Sequence, residues 1–201
     1  MVLQRAPQRA VVWGFTDTPN ASIILNLNKK IYSTMSSSVA GESIWSVTLD
    51  AQEAEGPFQI QVTQPLANGT KVTIILNDVL FGDVWLCSGQ SNMEFPVLNM
   101  LNASIEIANA GKYPKIRLLS AAHELSYQFE QELLGISLNW TAASPTSVGS
   151  PFTSAICWLY GRMVYEALGG RPMGLVHTSW GGTAIETWTP PNVLQDCNVT
   201  S

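Results

Sequence analysis

The sequence predicts an α/β chain in two parts. A small antiparallel β-sandwich-like domain is expected over 1–78, and a helix-covered parallel α/β layer over 79–201. Three observations carry this. Short β-branched runs recur before residue 78, with turn residues between them. After it, apolar strand patterns alternate with helical ones. Two of the later strands stop at turns of small residues, 88–92 and 180–183.

In the first part, strands are expected at 11–13, 22–27, 44–49, 58–62 and 71–76, where β-branched or alternating residues run together. Thr18-Pro19-Asn20, Ala40-Gly41-Glu42, Glu55-Gly56-Pro57 and Asn68-Gly69 supply the turns. No cluster of acids, bases or metal ligands stands out there, so the part reads as scaffold. Residues 77–82 form the junction. A buried strand at 84–87 then runs into Ser88-Gly89-Gln90-Ser91-Asn92. A helix is expected at 97–110, a strand at 115–119, and a polar irregular excursion over 120–153 that contains Trp140 and Pro145. Residues 155–168 give the clearest helix, with Ile156, Leu159, Met163 and Leu168 mostly on one side and Gly169-Gly170 as its stop. A strand at 174–179 leads into Trp180-Gly181-Gly182-Thr183. In parallel α/β sheets chemistry gathers at the C-terminal ends of strands, which is where both turns fall.

Composition narrows the function classes. With 46% hydrophobic and 12% charged residues over 201, the chain can bury a core and is not disordered. A net charge of −5 argues against nucleic acid or an anionic membrane as partner, because both demand clustered Lys and Arg. No apolar run approaches the ~20 residues that span a bilayer. Residues 1–10 carry Arg5 and Arg9 but no apolar stretch of a signal peptide follows. Five N-x-Ser/Thr triplets, at Asn20, Asn68, Asn102, Asn139 and Asn198, exceed the roughly two that composition supplies. A secreted or lysosomal protein whose leader is missing from this chain reconciles the two. Cys87, Cys157 and Cys197 lack metal-ligand spacing, and no metal is expected. Cys87 and Cys157 lie in apolar runs and read as buried hydrophobes rather than disulfide partners; Cys197 sits in a polar tail.

The hydroxyl of Ser91 stands where a strand breaks into a turn, one way to present a nucleophile. Such a serine needs a base, donors for the developing oxyanion and a pocket. Its own N–H can be one donor, and Gly181 or Gly182 can bring a second close for want of a side chain. As a bare pattern this is weak: Met93 stands where G-x-S-x-G has its second glycine. His177, on the strand before the glycine turn, is the tempting base but reads as a strand histidine packed beside the site. His123 lies in the polar excursion, and Asp83 and Glu94 read as solvated or capping residues.

The run Gly82-Asp83-Val84-Trp85-Leu86-Cys87-Ser88-Gly89-Gln90-Ser91-Asn92-Met93 resembles the first motif block of the sialate O-acetylesterases, a branch of the SGNH-hydrolase superfamily. Ser179-Trp180-Gly181-Gly182-Thr183-Ala184-Ile185-Glu186-Thr187-Trp188 resembles their second block. The stretch Ser154 to Arg162 and the opening Met1-Val2-Leu3-Gln4 fit in the same order, so the likeness covers nearly the whole chain. It implies a flavodoxin-like three-layer α/β domain accompanied by a β domain. It also implies hydrolysis of acetyl esters on O-acetylated sialic acids or sialoglycans, with no cofactor, in lysosomes or outside cells. Ser91 maps onto the nucleophile and Gly182 onto the second oxyanion donor, with Gly181 as the alternative. Asn92, Glu186 and Trp188 match motif positions and are expected to shape and support the pocket. The family's third block and its Asp-to-His pair should follow downstream, and this chain stops at Ser201 before either. The expectation is therefore a truncated N-terminal part that lacks efficient turnover alone. The alternative is a non-catalytic carbohydrate-binding or regulatory form. A conventional lipase is a third reading, against which Met93 weighs.

Overall fold

The computed structural model describes residues 1–39, 41–126 and 130–197. The chain divides into two compact units, Met1–Val84 and Trp85–Ser201.

The first unit is all β. Strand β3 (Ser22–Leu27) pairs antiparallel with β4 (Lys30–Met35) on one side and with β7 (Phe58–Pro65) on the other. Strand β7 in turn pairs antiparallel with β8 (Lys71–Cys87), whose last residues belong to the second unit. The short β1 (Val2–Gln4) runs parallel to β8. A separate sheet holds β2 (Val11–Thr16), β6 (Glu42–Thr48) and β5 (Ser37–Val39), in the order β2-β6-β5. The period of two in β3 sends Ile23, Leu25 and Leu27 inward. They share one core with Ile60, Val62, Val79 and Phe81, and with Val12, Trp45 and Val47 of the other sheet. Trp45 buries its ring against Gly14, where a Cβ would stand 2.9 Å from the indole, and donates its Nε1–H to Gln64 Oε1 at 3.1 Å. Asp83 is not merely solvated, as expected, but pairs with Arg5 at 3.2 Å.

The second unit is α/β. Strand β11 (Met173–His177) lies parallel to β9 (Ile116–Ala121) and beside the end of β8, while β10 (Ile136–Ala142) pairs antiparallel with β9. The sheet is thus mixed rather than parallel, because the chain leaving β9 turns back and pairs beside it. The expected irregular excursion over 120–153 is corrected accordingly: it contains β10, with Trp140 inside it, and the short helix α3 (Pro145–Val148). The single helix expected at 97–110 is also corrected. A 3-10 turn at Val97–Asn99 is followed by α2 (Ala103–Asn109), and Asn102 between them has φ +61°.

Helix α4 (Ala155–Ala167) starts where Ser154 Oγ accepts the Cys157 N–H at 3.2 Å. It lays Gly161 against Leu175 of β11, and a Cβ there would stand 2.5 Å from Leu175 Cδ1. Trp158 beside it is fully buried. Truncating such a ring costs about 3–5 kcal/mol in typical cores. Cys87 and Cys157 are buried as expected, but they are also joined by a disulfide, with Cα atoms 5.9 Å apart. The reading of both as free hydrophobes is therefore corrected: α4 carries Cys157 over the end of β8. Cys197 is exposed and unbonded among the described residues.

Candidate active site

Strand β8 ends at Cys87, and the chain turns sharply through Gly89 at φ +143°. A single helical turn follows, α1 (Ser91–Glu94), in which Met93 N and Glu94 N both donate to Gln90 O. Ser91 is the first residue of that turn, and it is exposed. Its hydroxyl donates to Gln90 Oε1 at 3.3 Å. Met93 points the other way, onto the core of the second unit, where Ser154 Oγ meets its sulfur at 3.6 Å. The departure from G-x-S-x-G thus has a packing reason.

Strand β11 delivers the second turn to the same place. Past the last paired residue, Thr178 N donates to Cys87 O at 3.0 Å and Trp180 N to Gly89 O at 2.9 Å. A Cβ on Gly181 would lie 3.5 Å from both Cα and Oγ of Ser91, and 2.3 Å from Glu94 Oε2. Only glycine fits there without displacing something. Gly182, at φ +77°, has open space where a side chain would stand. Thr183 Oγ1 closes the turn onto Trp180 O at 2.7 Å and accepts the Trp188 Nε1–H at 2.8 Å. Gln90 Nε2 reaches across to Thr183 O at 3.3 Å. The structure therefore brings Gly181 to Ser91, with Gly182 the next residue in the chain, and gives Trp188 a bracing contact. Asn92 and Glu186 are exposed, and neither side chain makes a hydrogen bond among the described residues.

Neither histidine is hydrogen-bonded to Ser91 Oγ among the described residues. His177 is buried, with Nδ1 on the Phe152 carbonyl at 2.8 Å, so that nitrogen carries the proton. Its Nε2 then accepts from Ser179 Oγ. Burial pushes the His177 pKa below the ordinary imidazole value, against the opposing pull of the Phe152 and Met93 backbone and of Glu94. His123 is drawn in from the stretch expected to be a surface excursion. Its ring stacks on Trp180 at 4.6 Å between centroids, and Nε2 donates to Ser179 O at 3.0 Å.

Glu94 is the residue that sequence reasoning missed. Expected to be solvated or capping, its carboxylate instead accepts the Gly181 N–H at 2.6 Å through Oε2, with Oε1 3.5 Å from His123 Nε2. The available signal was its spacing, three residues past Ser91 and so on the next step of the same helical turn. Beyond this cluster lies a cavity of about 490 Å³, lined by His123, Leu125, Leu133, Trp180, Thr183 and Trp188 among others. It is mostly apolar with aromatic walls. Among the described residues no group of side chains is arranged to hold a metal, and no helix is long and apolar enough to cross a membrane. The sequon residues Asn20, Asn68, Asn102 and Asn139 are exposed, and Asn198 lies outside the described residues.

No protein-family model matches the chain. Curated relatives do. The chain is 40% identical to the sialate O-acetylesterases of Pongo abelii and Homo sapiens over 205 aligned positions, covering 99% of its own length and 39% of theirs. Among solved structures it is similar to a carbohydrate acetylesterase from Xanthomonas citri, with a TM-score of 0.82 and 32% identity, over 99% of this chain and 42% of that one. The chain thus spans about two fifths of the length of the relatives it matches. Across almost its whole length, this chain is thus similar in sequence to the sialate O-acetylesterases and in fold to a carbohydrate acetylesterase.

Proposed function

We propose that the chain carries the nucleophile and the oxyanion-binding turn of a serine ester hydrolase that removes O-acetyl groups from carbohydrates, sialic acids in particular. The observation that carries this is the approach of the Gly181 backbone to within 3.5 Å of Ser91 Oγ, measured from where a Cβ would stand. In this reading Ser91 Oγ attacks the acetyl carbonyl carbon, and the C=O electron pair moves onto oxygen. The Ser91 N–H and the Gly182 N–H receive that oxyanion; one such donor is worth about 3–4 kcal/mol of barrier. Gly181 does not serve, because its N–H is held by Glu94. Collapse of the intermediate breaks the ester C–O bond; the proton given up by Ser91 Oγ passes through solvent to the sugar oxygen, which leaves as an alcohol. Water then adds to the acetyl-serine, releasing acetic acid and restoring the Ser91 hydroxyl. Asn92 and Glu186 shape the pocket mouth, and Trp188 braces the turn.

Neither His123 nor His177 takes the serine proton in this reading, since each already has its ring nitrogen on a Ser179 atom. We read residues 1–78 as a β-sandwich-like domain and 79–201 as the N-terminal portion of an SGNH-type α/β domain. The setting is lysosomal or extracellular. The Cys87–Cys157 disulfide supports an oxidising compartment, and the exposed Asn20, Asn68, Asn102 and Asn139 suit N-glycosylation. The test uses the purified chain with p-nitrophenyl acetate and an O-acetylated sialic acid. Slow release that disappears in Ser91→Ala is expected, because oxyanion binding without a base retains only part of the rate. Equal rates in wild type and Ser91→Ala overturn the nucleophile assignment. Fast turnover that is lost in His177→Ala overturns the assignment of His177 as a packing residue.

A further inference from the structure

We infer that Glu94 is a positioning residue for the oxyanion site: its side-chain oxygen clamps the Gly181 amide and so sets the direction of the Gly182 amide. The inference rests on the reading of Ser91 and Gly182 as nucleophile and donor, and it adds a residue that the motif reading does not assign.

Two turns from different parts of the chain meet at Ser91, and each comes from a strand end. Backbone bonds from Thr178 to Cys87 and from Trp180 to Gly89, and Gln90 Nε2 on Thr183 O, already join them. None of these holds the Gly181 or Gly182 amide, and a donor displaced by an ångström loses much of its value. Glu94 holds the first of these amides. It leaves the last position of α1, three residues after Ser91, so the helical turn fixes its side chain relative to the hydroxyl. Its Oε2 accepts the Gly181 N–H at 2.6 Å, a charge-assisted length. The held N–H belongs to the Trp180–Gly181 peptide, and the Gly182 N–H belongs to the next peptide, joined to it through the single Cα of Gly181, so fixing the first restricts the second. The glycine at 181 is explained by the same contact, since a Cβ would overlap the carboxylate oxygen. On the other side Oε1 faces His123 Nε2 at 3.5 Å, and His123 is itself held flat on Trp180, the residue before the glycines. Clamp and stack grip the turn from both ends.

What the clamp requires is an acceptor oxygen at that position, and a glutamine supplies one without the charge. This separates positioning from electrostatics. The experiment takes the full 201-residue chain, glycine-labelled with ¹⁵N, and follows the Gly181 amide by NMR in wild type, Glu94→Gln and Glu94→Ala. In wild type the Gly181 proton is expected well downfield. In Glu94→Gln, which keeps an acceptor oxygen, it stays downfield. In Glu94→Ala it moves to the range of a water-exposed amide. Ser91-dependent release from p-nitrophenyl acetate is expected within about threefold of wild type in Glu94→Gln and at least tenfold lower in Glu94→Ala, with the thermal midpoint of each variant as the check on folding. An unchanged Gly181 shift in Glu94→Ala, or an unchanged rate with a displaced shift, overturns the clamp. Absence of any Ser91-dependent rate overturns the nucleophile reading instead, and the Gly181 shift still decides whether the clamp exists.

Discussion

The Cys87–Cys157 disulfide should dominate the stability of the second unit. The bond closes a loop across a sequence separation of 70 residues. The chain-entropy relation for a loop of that length gives about 4 kcal/mol at 25 °C, lost when the link is removed. For a unit of roughly 120 residues that corresponds to a fall in midpoint of roughly 15–18 °C. Both sulfurs are buried, so Cys→Ala would add a cavity cost to the entropic one. Reduction of the wild-type chain keeps the sulfur atoms and isolates the link. The assay is urea unfolding followed by tryptophan fluorescence, with and without dithiothreitol. Trp85, Trp140, Trp158, Trp180 and Trp188 lie in the second unit, so the signal reports mainly on it. Cys87 is also the residue before the serine turn, so reduction should lower any Ser91-dependent rate alongside stability. A reduced chain within about 1 kcal/mol of the oxidised one would refute the reasoning, because the loop term alone exceeds that several-fold.

Two further outcomes are expected from packing and titration. Gly161→Ala places a methyl 2.5 Å from Leu175 Cδ1, and should cost about 1–3 kcal/mol by overpacking, read as a lower urea midpoint with unchanged slope. Burial lowers the His177 pKa in the folded chain, so the unfolded state binds its proton first. That contribution to stability is intact above about pH 6.5 and is lost as pH falls from there towards the lowered folded value. Thermal midpoints from pH 8 to 5 should therefore drop more steeply in wild type than in His177→Asn, and parallel curves would contradict the assignment.

Much of the strand content was legible because half-buried strands carry a period of two. Ser22–Leu27 reads and folds as one strand, with Ile23, Leu25 and Leu27 inward. Helix α4 forms where expected and ends before the Gly169-Gly170 stop, but with a different face inward: Ile156, Met163 and Leu168 are exposed, and Ala155, Cys157, Trp158 and Gly161 are the residues it buries. Strand β10 was hidden because its flanks are polar and Pro145 follows it; only pairing with β9 makes the stretch a strand. The break at Asn102 was hidden because the apolar pattern of 97–110 runs on through it, while asparagine tolerates the left-handed conformation from which α2 starts. At the site, the strand-turn serine and the glycine pair announced themselves by residue type. Glu94 and the disulfide did not, because each is defined by a partner 87 and 70 residues away, and local patterning carries no record of such distances.

The two turns at Ser91 are joined by backbone bonds from Thr178 to Cys87 and from Trp180 to Gly89, and by the carboxylate of Glu94. Residues that share partners in this way do not contribute independently. Substitutions in 88–94 and in 178–183 should therefore be epistatic, and a change tolerated in one turn need not be tolerated once the other has changed. Directed evolution of this site is best done with both segments varied in one library, since single-segment libraries would sample only half of each coupled pair.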